Sequence, residues 1–392
     1  MIHNMHLKKE PFEKIVSGKK NIELRLYDEK RRKIKAGDQI NFDCEGKIIK
    51  TKVINLSLAD DFDELYHKLE LDSAIYGESD SMLAYYNLER QQLYRVVGIE
   101  IRLIYKAGID IGGTNVRCAV FDSLMNMADV YKVPTDQNKN GQENLSPVVD
   151  FLKGYEIESI GIGAPGPLDA RKGKILNPPN LIGWDNFEIV DYFQNIFHVP
   201  VLLTNDVNVA GLAESRLGVG QGYESMYYIT MSTGFGGAYV FRGELINGIS
   251  TSVGEIHNMI VNEDKHHHKG TNPGCLNDQC GGFGLSLFAS EAYGREVKAK
   301  ELFELYHAGD PIALKIIEHA VDTAAKGIAN IGCVIDPEIY IIGGSVAIYN
   351  HDYVEMIFEK AKEYYMKPEF LQYKYAKFED DAGLIGAALL IE

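Results

Sequence analysis

No run of about 18 apolar residues occurs in the 392-residue chain, so a helical membrane span is not expected. The opening stretch, MIHNMHLKKEPFEK, lacks the apolar centre of a secretory signal, and a cytoplasmic location is expected. There are only five cysteines, Cys44, Cys118, Cys275, Cys280 and Cys333, and most sit in apolar strand-like or helical runs. An odd, sparse set of this kind suits reduced thiols better than a disulfide framework. Basic residues are outnumbered: 40 Lys+Arg against 56 Asp+Glu give a net charge of −16, which argues against a general nucleic-acid binder. The shortage is uneven. Residues 1–52 hold 14 basic and 8 acidic side chains, 53–104 hold 4 and 10, and 105–392 hold 22 and 38, so the first hundred residues are neutral with a basic half. What remains is a globular composition, 45% hydrophobic and 24% charged, in a chain too long for one core; two or three domains are expected.

Residues 8–42 read as a short helix, a glycine stop, a strand, a charged turn and a second strand. KIIKTKVINLSLA then alternates as a strand, DDFDELYHKL and SMLAYYNLERQQL have helical spacing, and RVVGIEIRLI closes as a strand ending at Ile104. On the first strand Glu23 and Arg25 share a face. Taken alone such a pair reads as a surface ion pair, but Gly18 to Arg25 also matches the spacing G-x-K-x-x-E-x-R. On that signature, residues 1–104 resemble ASCH domains. The resemblance implies a small α+β, PUA-like β-barrel whose Lys20, Glu23 and Arg25 line a cleft for RNA or a modified nucleotide. Some relatives hydrolyse an acetylated cytidine, but they have threonine where this chain has Glu23, so that activity is not carried over. Only Tyr105 and Lys106 separate this unit from the next strand, with no Gly/Ser or Pro linker between, so the two units should be closely apposed.

The second unit opens with AGIDIGGTNVRCAVFD: two β-type runs, Gly112, Gly113 and Thr114 between them, and Asp110 one step before the break. A glycine turn lets backbone N–H groups approach an anion without interference from Cβ, and an ordinary hairpin would use the same turn. The recurrence of the design is more telling. YYITMSTGFGGAYVF has a strand, Ser232 to Gly237 and a strand; DPEIYIIGGSV puts Gly343 and Gly344 after a buried strand, where the chain could pass close to adenine or ribose. Two hairpins suggest two lobes that each offer a phosphate loop to one nucleotide. Between them VPVLLTNDVNVAGLAE reads as a strand, Val199 to Leu203, and a helix from about Val207, with Asp206 at the helix N-terminus. Such an aspartate can cap the helix and also point into the crevice at the carboxyl ends of the strands.

These segments, with GIGAPGPLD, NPPNLIGW, STGFGGAYVFRGELINGISTSVGE and GLIGAAL, resemble the ROK family of sugar kinases over residues 105–392. The resemblance implies an α/β, actin-like ATPase (ribonuclease H-like) fold, with one lobe at about 105–223, a second at about 224–376, and a C-terminal helix at 381–392 returning to the first. It implies ATP-dependent phosphorylation of a hexose or hexose derivative, most often at the C6 hydroxyl. Asp206 would be the base, and Asp110 would help place Mg²⁺. Gly112, Gly113, Thr114, Thr233, Gly234, Gly343 and Gly344 would hold the nucleotide, and Asn180, Asn205, Asp206 and Glu255 the sugar hydroxyls. Homodimers are common in that family, so the resemblance makes a homodimer the default expectation. No helix-turn-helix precedes the kinase-like unit, which disfavours the repressor branch; the competing reading is a sugar sensor acting through an RNA-binding ASCH unit.

The chain departs from the family after the second loop. The usual G-E-x-G-H reads Gly254-Glu255-Ile256-His257-Asn258, and the usual C-x-C-G-x-x-G-C-L-E becomes HHHKGTNPGCLNDQC, in which only Cys275 matches a metal-binding cysteine. A structural zinc site wants four N or S ligands at defined spacing. His257, His266, His267, His268 and Cys280 could rebuild one, but a solvated histidine-rich loop is the simpler reading and zinc is not expected. Asn258 and Asn277 stand where relatives place a histidine and a glutamate at the C1 and C2 end of the sugar. An amide donates as well as accepts, so the preference at that end should differ from an ordinary glucokinase.

Overall fold

The computed structural model describes residues 1–178, 181–265, 267–268 and 270–391. The first part runs β1 (Ile2–His6), α1 (Lys9–Val16), β2 (Ile22–Leu26), β3 (Gln39–Cys44), β4 (Lys47–Ala59), α2 (Phe62–Leu69), α3 (Ser73–Tyr76) and α4 (Leu88–Tyr94). Strict alternation on β3 buries Ile40, Phe42 and Cys44 and turns Gln39, Asn41 and Asp43 away. Phe12 and Ile15, one turn apart on α1, close over the same core. The helical spacing at 81–93 resolves into two pieces, a 3₁₀ turn at Ser79–Ala84 and then α4, because the Asn87 side chain accepts the Arg90 N–H and starts a new helix there. β1, for which the sequence showed no expectation, pairs in parallel with β3.

The next strand departs most from the expected organisation. Where one strand was expected to end at Ile104 and another to follow Lys106, a single strand, β5 (Val96–Ile111), runs through. Its first half pairs with β2 and β4. Its second half pairs with β6 (Asn115–Phe121) and, in parallel, with β8 (Glu156–Ala164). A register shift at Tyr105/Lys106 absorbs the change of partner, so the backbone stays bonded across the junction. Lys50–Glu158 and Lys52–Glu156, both at 2.8 Å, and the Lys50 N–H donated to Ser123 Oγ add side contacts between the two units.

The kinase-like part continues with β7 (Met127–Pro134), α5 (Gly141–Leu152), then, after β8, β9 (Leu168–Asp169), β10 (Lys174–Ile175), α6 (Ile189–Phe197), β11 (Val201–Asn205) and α7 (Asp206–Arg216). Its strands lie in the order β7-β6-β5-β8-β11, the last two parallel to β5. A second lobe repeats the plan with β12 (Ser225–Met231), β13 (Phe235–Phe241), β14 (Glu244–Leu245), α8 (Leu276–Cys280), α9 (Gly282–Tyr293), α10 (Ala299–His307), α11 (Pro311–Ile335), β15 (Ile339–Gly343), α12 (Ser345–Tyr349), α13 (His351–Ala361) and β16 (Tyr373–Tyr375). Its order is β14-β13-β12-β15-β16: again an antiparallel hairpin beside parallel strands. Each sheet has its own apolar core, around Ile109, Ile160 and Trp184 in one and Ile229, Ile317 and Tyr353 in the other. Among the described residues no helix is long and apolar enough to cross a membrane.

The last helix, α14 (Ala382–Ala388), lies against β5, β8 and α7. Glycine makes the approach close: a Cβ at Gly108 would sit 2.1 Å from the Leu384 carbonyl oxygen, and one at Gly161 only 1.7 Å from that of Ala387. Gly161→Ala should therefore push α14 off the sheet, cost about 3 kcal/mol and lower the thermal midpoint by several degrees. An unchanged midpoint would mean that α14 does not lie there.

Candidate functional site

β5 ends at the first glycine turn, and hairpin register places Asp110 opposite Arg117 on β6. The turn is closed by the Gly112 N–H on the Asn115 carbonyl. Its own carbonyls are tied back: Gly112 O accepts Thr135 Oγ1 (2.7 Å), Gly113 O accepts Gln137 Nε2 (2.8 Å) and Thr114 O accepts the Thr135 N–H (2.9 Å). The side of the turn that could repel an anion is thus occupied. Arg117 donates to the Asp380 carbonyl and to the Asp381 carboxylate, fastening β6 to the lead-in of α14. A Cβ at Gly383, on α14, would meet the Asp110 carboxyl carbon at 2.8 Å, so the C-terminal helix forms one wall of the Asp110 site. Burial raises the pKa of Asp110, with the Arg117 guanidinium opposing that shift and Asp380 adding to it.

Asp206 is the first residue of α7, and the cap is its neighbour: Asn205 Oδ1 accepts the Val207 N–H at 2.8 Å, as does Asp206 Oδ1. The helix thus begins one residue earlier than the sequence suggested, and Asp206 is left without the capping position. Burial pushes its pKa up to about 6; the Val207 N–H opposes this, and the negative charges of Asp110 and Glu255 add to it. Carboxylates from β5 and from the segment after β14 therefore both act on Asp206 at the start of α7. A carboxylate poised near neutrality in such a recess has the protonation range of a general base.

The second glycine turn lies on the other sheet, between β12 and β13. Ser232 N–H donates to Gly234 O, while Ser232 O and Thr233 O accept the N–H groups of Gly282 (3.0 Å) and Phe283 (2.7 Å) at the start of α9. Gly343 ends β15, and Gly344, at φ +89°, turns the chain into α12 so that Ser345 Oγ lies 3.1 Å from Ser232 Oγ. The second and third turns thus meet, beside a cavity of about 960 Å³ lined by Thr233, Phe283, Lys298, His307 and Tyr349 among others. Its size suits a nucleotide. Apart from Thr233, those lining residues carry no motif and went unnoticed in the sequence, whereas Arg117 could have been found by counting outward from the turn to the partner of Asp110.

The residues expected at a sugar end separate. Glu255 Oε2 lies 2.9 Å from His257 Nδ1, both about four-tenths exposed. Asn205 has its side-chain oxygen already committed to the α7 cap. Asn258 Oδ1 accepts the Asn272 N–H at 2.6 Å, leaving its amide nitrogen for other partners. Asn277, expected at the C1 and C2 end, is instead buried, its Oδ1 on the Phe235 N–H (3.0 Å) and its Nδ2 on Asp278 Oδ1 (2.9 Å). Its amide is spent inside the protein, because α8 lies behind the second turn. Asn180 and His266 fall outside the described residues. Asn208 was overlooked; its Nδ2 joins Thr204 Oγ1 to Asn247 Oδ1 across the lobes.

The Lys20, Glu23 and Arg25 cluster is not part of this constellation. Glu23, on β2, is buried and takes Lys20 Nζ on one oxygen (2.7 Å) and Arg25 on the other (2.8 Å). Arg25 Nε is buried without a partner among the described residues. Arg25 pairs with Val97, so its distance from Asp110 is set by thirteen steps along β5, roughly 40 Å.

The comparisons with known proteins follow the same division. The model described as "ROK family" matches residues 106–392, and that described as "ASCH domain" matches 5–104. The chain is 28% identical to a glucokinase of Halalkalibacterium halodurans over 73% of its own length and 94% of the relative's. It is 27% identical to an N-acetyl-D-glucosamine kinase of Haemophilus influenzae, with 72% and 98% covered. The crystal structure of a ROK hexokinase from Thermus thermophilus superposes with a TM-score of 0.68 at 34% identity, covering 73% of this chain and 97% of that one.

If Glu255 is one of the charges that hold Asp206 up, Glu255→Gln should lower the Asp206 pKa below about 6. Carboxyl-carbon NMR titration reads this directly; an unmoved or raised value would remove Glu255 from the site.

Proposed function

The chain belongs to the ROK family, with an ASCH domain ahead of the kinase domain, and from that premise we propose that it transfers the γ-phosphoryl group of ATP to the C6 hydroxyl of a hexose or hexose derivative. It is an ATP-dependent sugar kinase. The finer reading is supported above all by Asp206, recessed between two glycine hairpins with its pKa raised to about 6. The lobes, at about 105–223 and 224–376, would close on the nucleotide. The amides at Gly113, Thr114, Thr233 and Gly234 would bind phosphate oxygens, and Gly343 and Gly344 would let the backbone pass close to the nucleoside. As the sugar oxygen bonds to the γ-phosphorus, Asp206 takes the hydroxyl proton, and the bridging P–O electrons leave with ADP. Asp110 fits a magnesium role, since Mg²⁺ binds through one or two carboxylates plus substrate phosphates. When bound, the ion neutralises charge on the transferring group. Glu255, Asn180 and the free amide ends of Asn205 and Asn258 would hold the sugar.

For the ASCH domain we propose a ligand rich in acceptors, RNA or a modified nucleotide. Both oxygens of Glu23 are already taken by cations, so the cluster offers Lys20 and Arg25 donors and a net positive charge. A carboxylate so engaged is poorly placed to act as a base, which speaks for binding over hydrolysis.

ADP release across a panel of hexoses, N-acetylhexosamines, glycosides and nucleosides tests the kinase reading. Asp206→Asn should cut turnover by about 10²- to 10⁴-fold; intact turnover would sink the assignment. The base acts when ionised, so activity should be full above the Asp206 pKa of about 6 and fall on the acid side. A rate that stays level through that range would exclude this carboxylate as the base. Free glucose turned over as well as or better than every other sugar would overturn the altered preference at the C1 and C2 end.

A further inference from the structure

In the relatives, zinc is implied to fasten the segment after the second phosphate loop. This chain's residues do not suit that ion: His257 faces Glu255, Cys280 Sγ donates to the Leu276 carbonyl at 3.0 Å, and His268 Nδ1 lies 2.6 Å from Asp278. Among the described residues no three His, Cys, Asp or Glu side chains gather in a metal-holding group. The same region has a different centre. Asp278, on α8, is completely buried, and its carboxylate is surrounded by donors. Oδ1 takes His268 Nδ1 and Asn277 Nδ2 (2.9 Å); Oδ2 takes the His268 N–H (2.9 Å) and the Thr271 hydroxyl. Three of these four hydrogen bonds to one buried anion join His268 and Thr271 to α8.

Asn277 carries that connection to the nucleotide side. With its Nδ2 held by Asp278, its Oδ1 is aimed at the Phe235 N–H, immediately after the second turn. The contact is tight: a Cβ at Gly234 would lie 2.5 Å from Asn277 Oδ1. The turn is therefore supported from behind by a side chain whose orientation depends on a buried carboxylate. We propose that Asp278, acting through Asn277, replaces the metal as the anchor of this region and positions the second phosphate loop, making the pair positioning residues for nucleotide and not sugar contacts. This inference rests on the kinase reading above.

The test measures binding of a non-hydrolysable ATP analogue with Mg²⁺ by calorimetry, and the KM for ATP and for sugar separately. Asn277→Ala leaves three of the four donors on Asp278 and should fold; it should weaken nucleotide binding about tenfold, the scale of leaving a buried N–H unpaired. The KM for sugar should stay within about twofold, because the lost contact is made only to the loop. Asp278→Asn should show the same split, and the double variant should be little worse than either single one, as expected for two links of one chain. If Asp278→Asn does not fold, the split in Asn277→Ala still decides. Equal nucleotide affinity in Asn277→Ala and the unaltered protein, or a sugar KM that rises as much as that for ATP, would overturn the proposal. So would one zinc per chain in protein purified without affinity histidines. If the unaltered protein itself binds no nucleotide, the kinase reading fails instead.

Discussion

Along β5 sixteen residues exchange backbone hydrogen bonds with four strands, two in each half. A chain bonded on both edges cannot bend or shift register without breaking several bonds at once. The strand therefore fixes the ASCH sheet relative to the kinase sheet, and it delivers Asp110 to the turn at its far end. Lys50 and Lys52 reach across the same junction to Glu158 and Glu156. These half-exposed ion pairs contribute modestly beside the continuous ladder.

The candidate site sets buried carboxylates on this rigid frame. The charges of Asp110 and Glu255 both act on Asp206, and the backbone of the two aspartates is placed by packing. Asp110 ends a central strand, Asp206 begins a helix capped by Asn205, and α14 presses on the sheet through Gly108 and Gly161. Burial is the main cause of the raised pKa of Asp206, and the charges of Asp110 and Glu255 add to it. A cation and a polyol hydroxyl are the two ligands that such a site stabilises most, one by charge and the other by giving up a proton. The second lobe supplies the complementary surface, a turn backed by α8 and α9 whose carbonyls are already satisfied.

Much of this was written in local pattern. The turns at 112–114 and 232–234 and the glycines at 343–344 declare themselves as glycine clusters that interrupt β-type runs, and Gly344 lies at φ +89°, where other residues are strained. Asp206 stands out because a strand ends and a helix starts around it. The ASCH signature is likewise a spacing on one strand. Residues 8–104 alternate or repeat clearly enough to give most of their elements, though α4 needed the Asn87 cap to be separated from the 3₁₀ turn before it.

Position in the chain could not say where a side chain spends its hydrogen bonds. Asn277 looked like a sugar ligand by alignment, and its use on Phe235 and Asp278 follows from α8 lying behind the second turn, a contact between segments about forty residues apart. The fusion of two strands into β5 was equally invisible, because Tyr105 and Lys106 suit an extended linker and a strand alike until β8 pairs with them. The sequence by itself determined the two families of motif, the turns and the acidic residue at the helix start, since backbone sterics act within a few residues. Only the tertiary structure decided which polar groups remain free for a ligand, because hydrogen-bond capacity is consumed by whatever neighbour packing brings near.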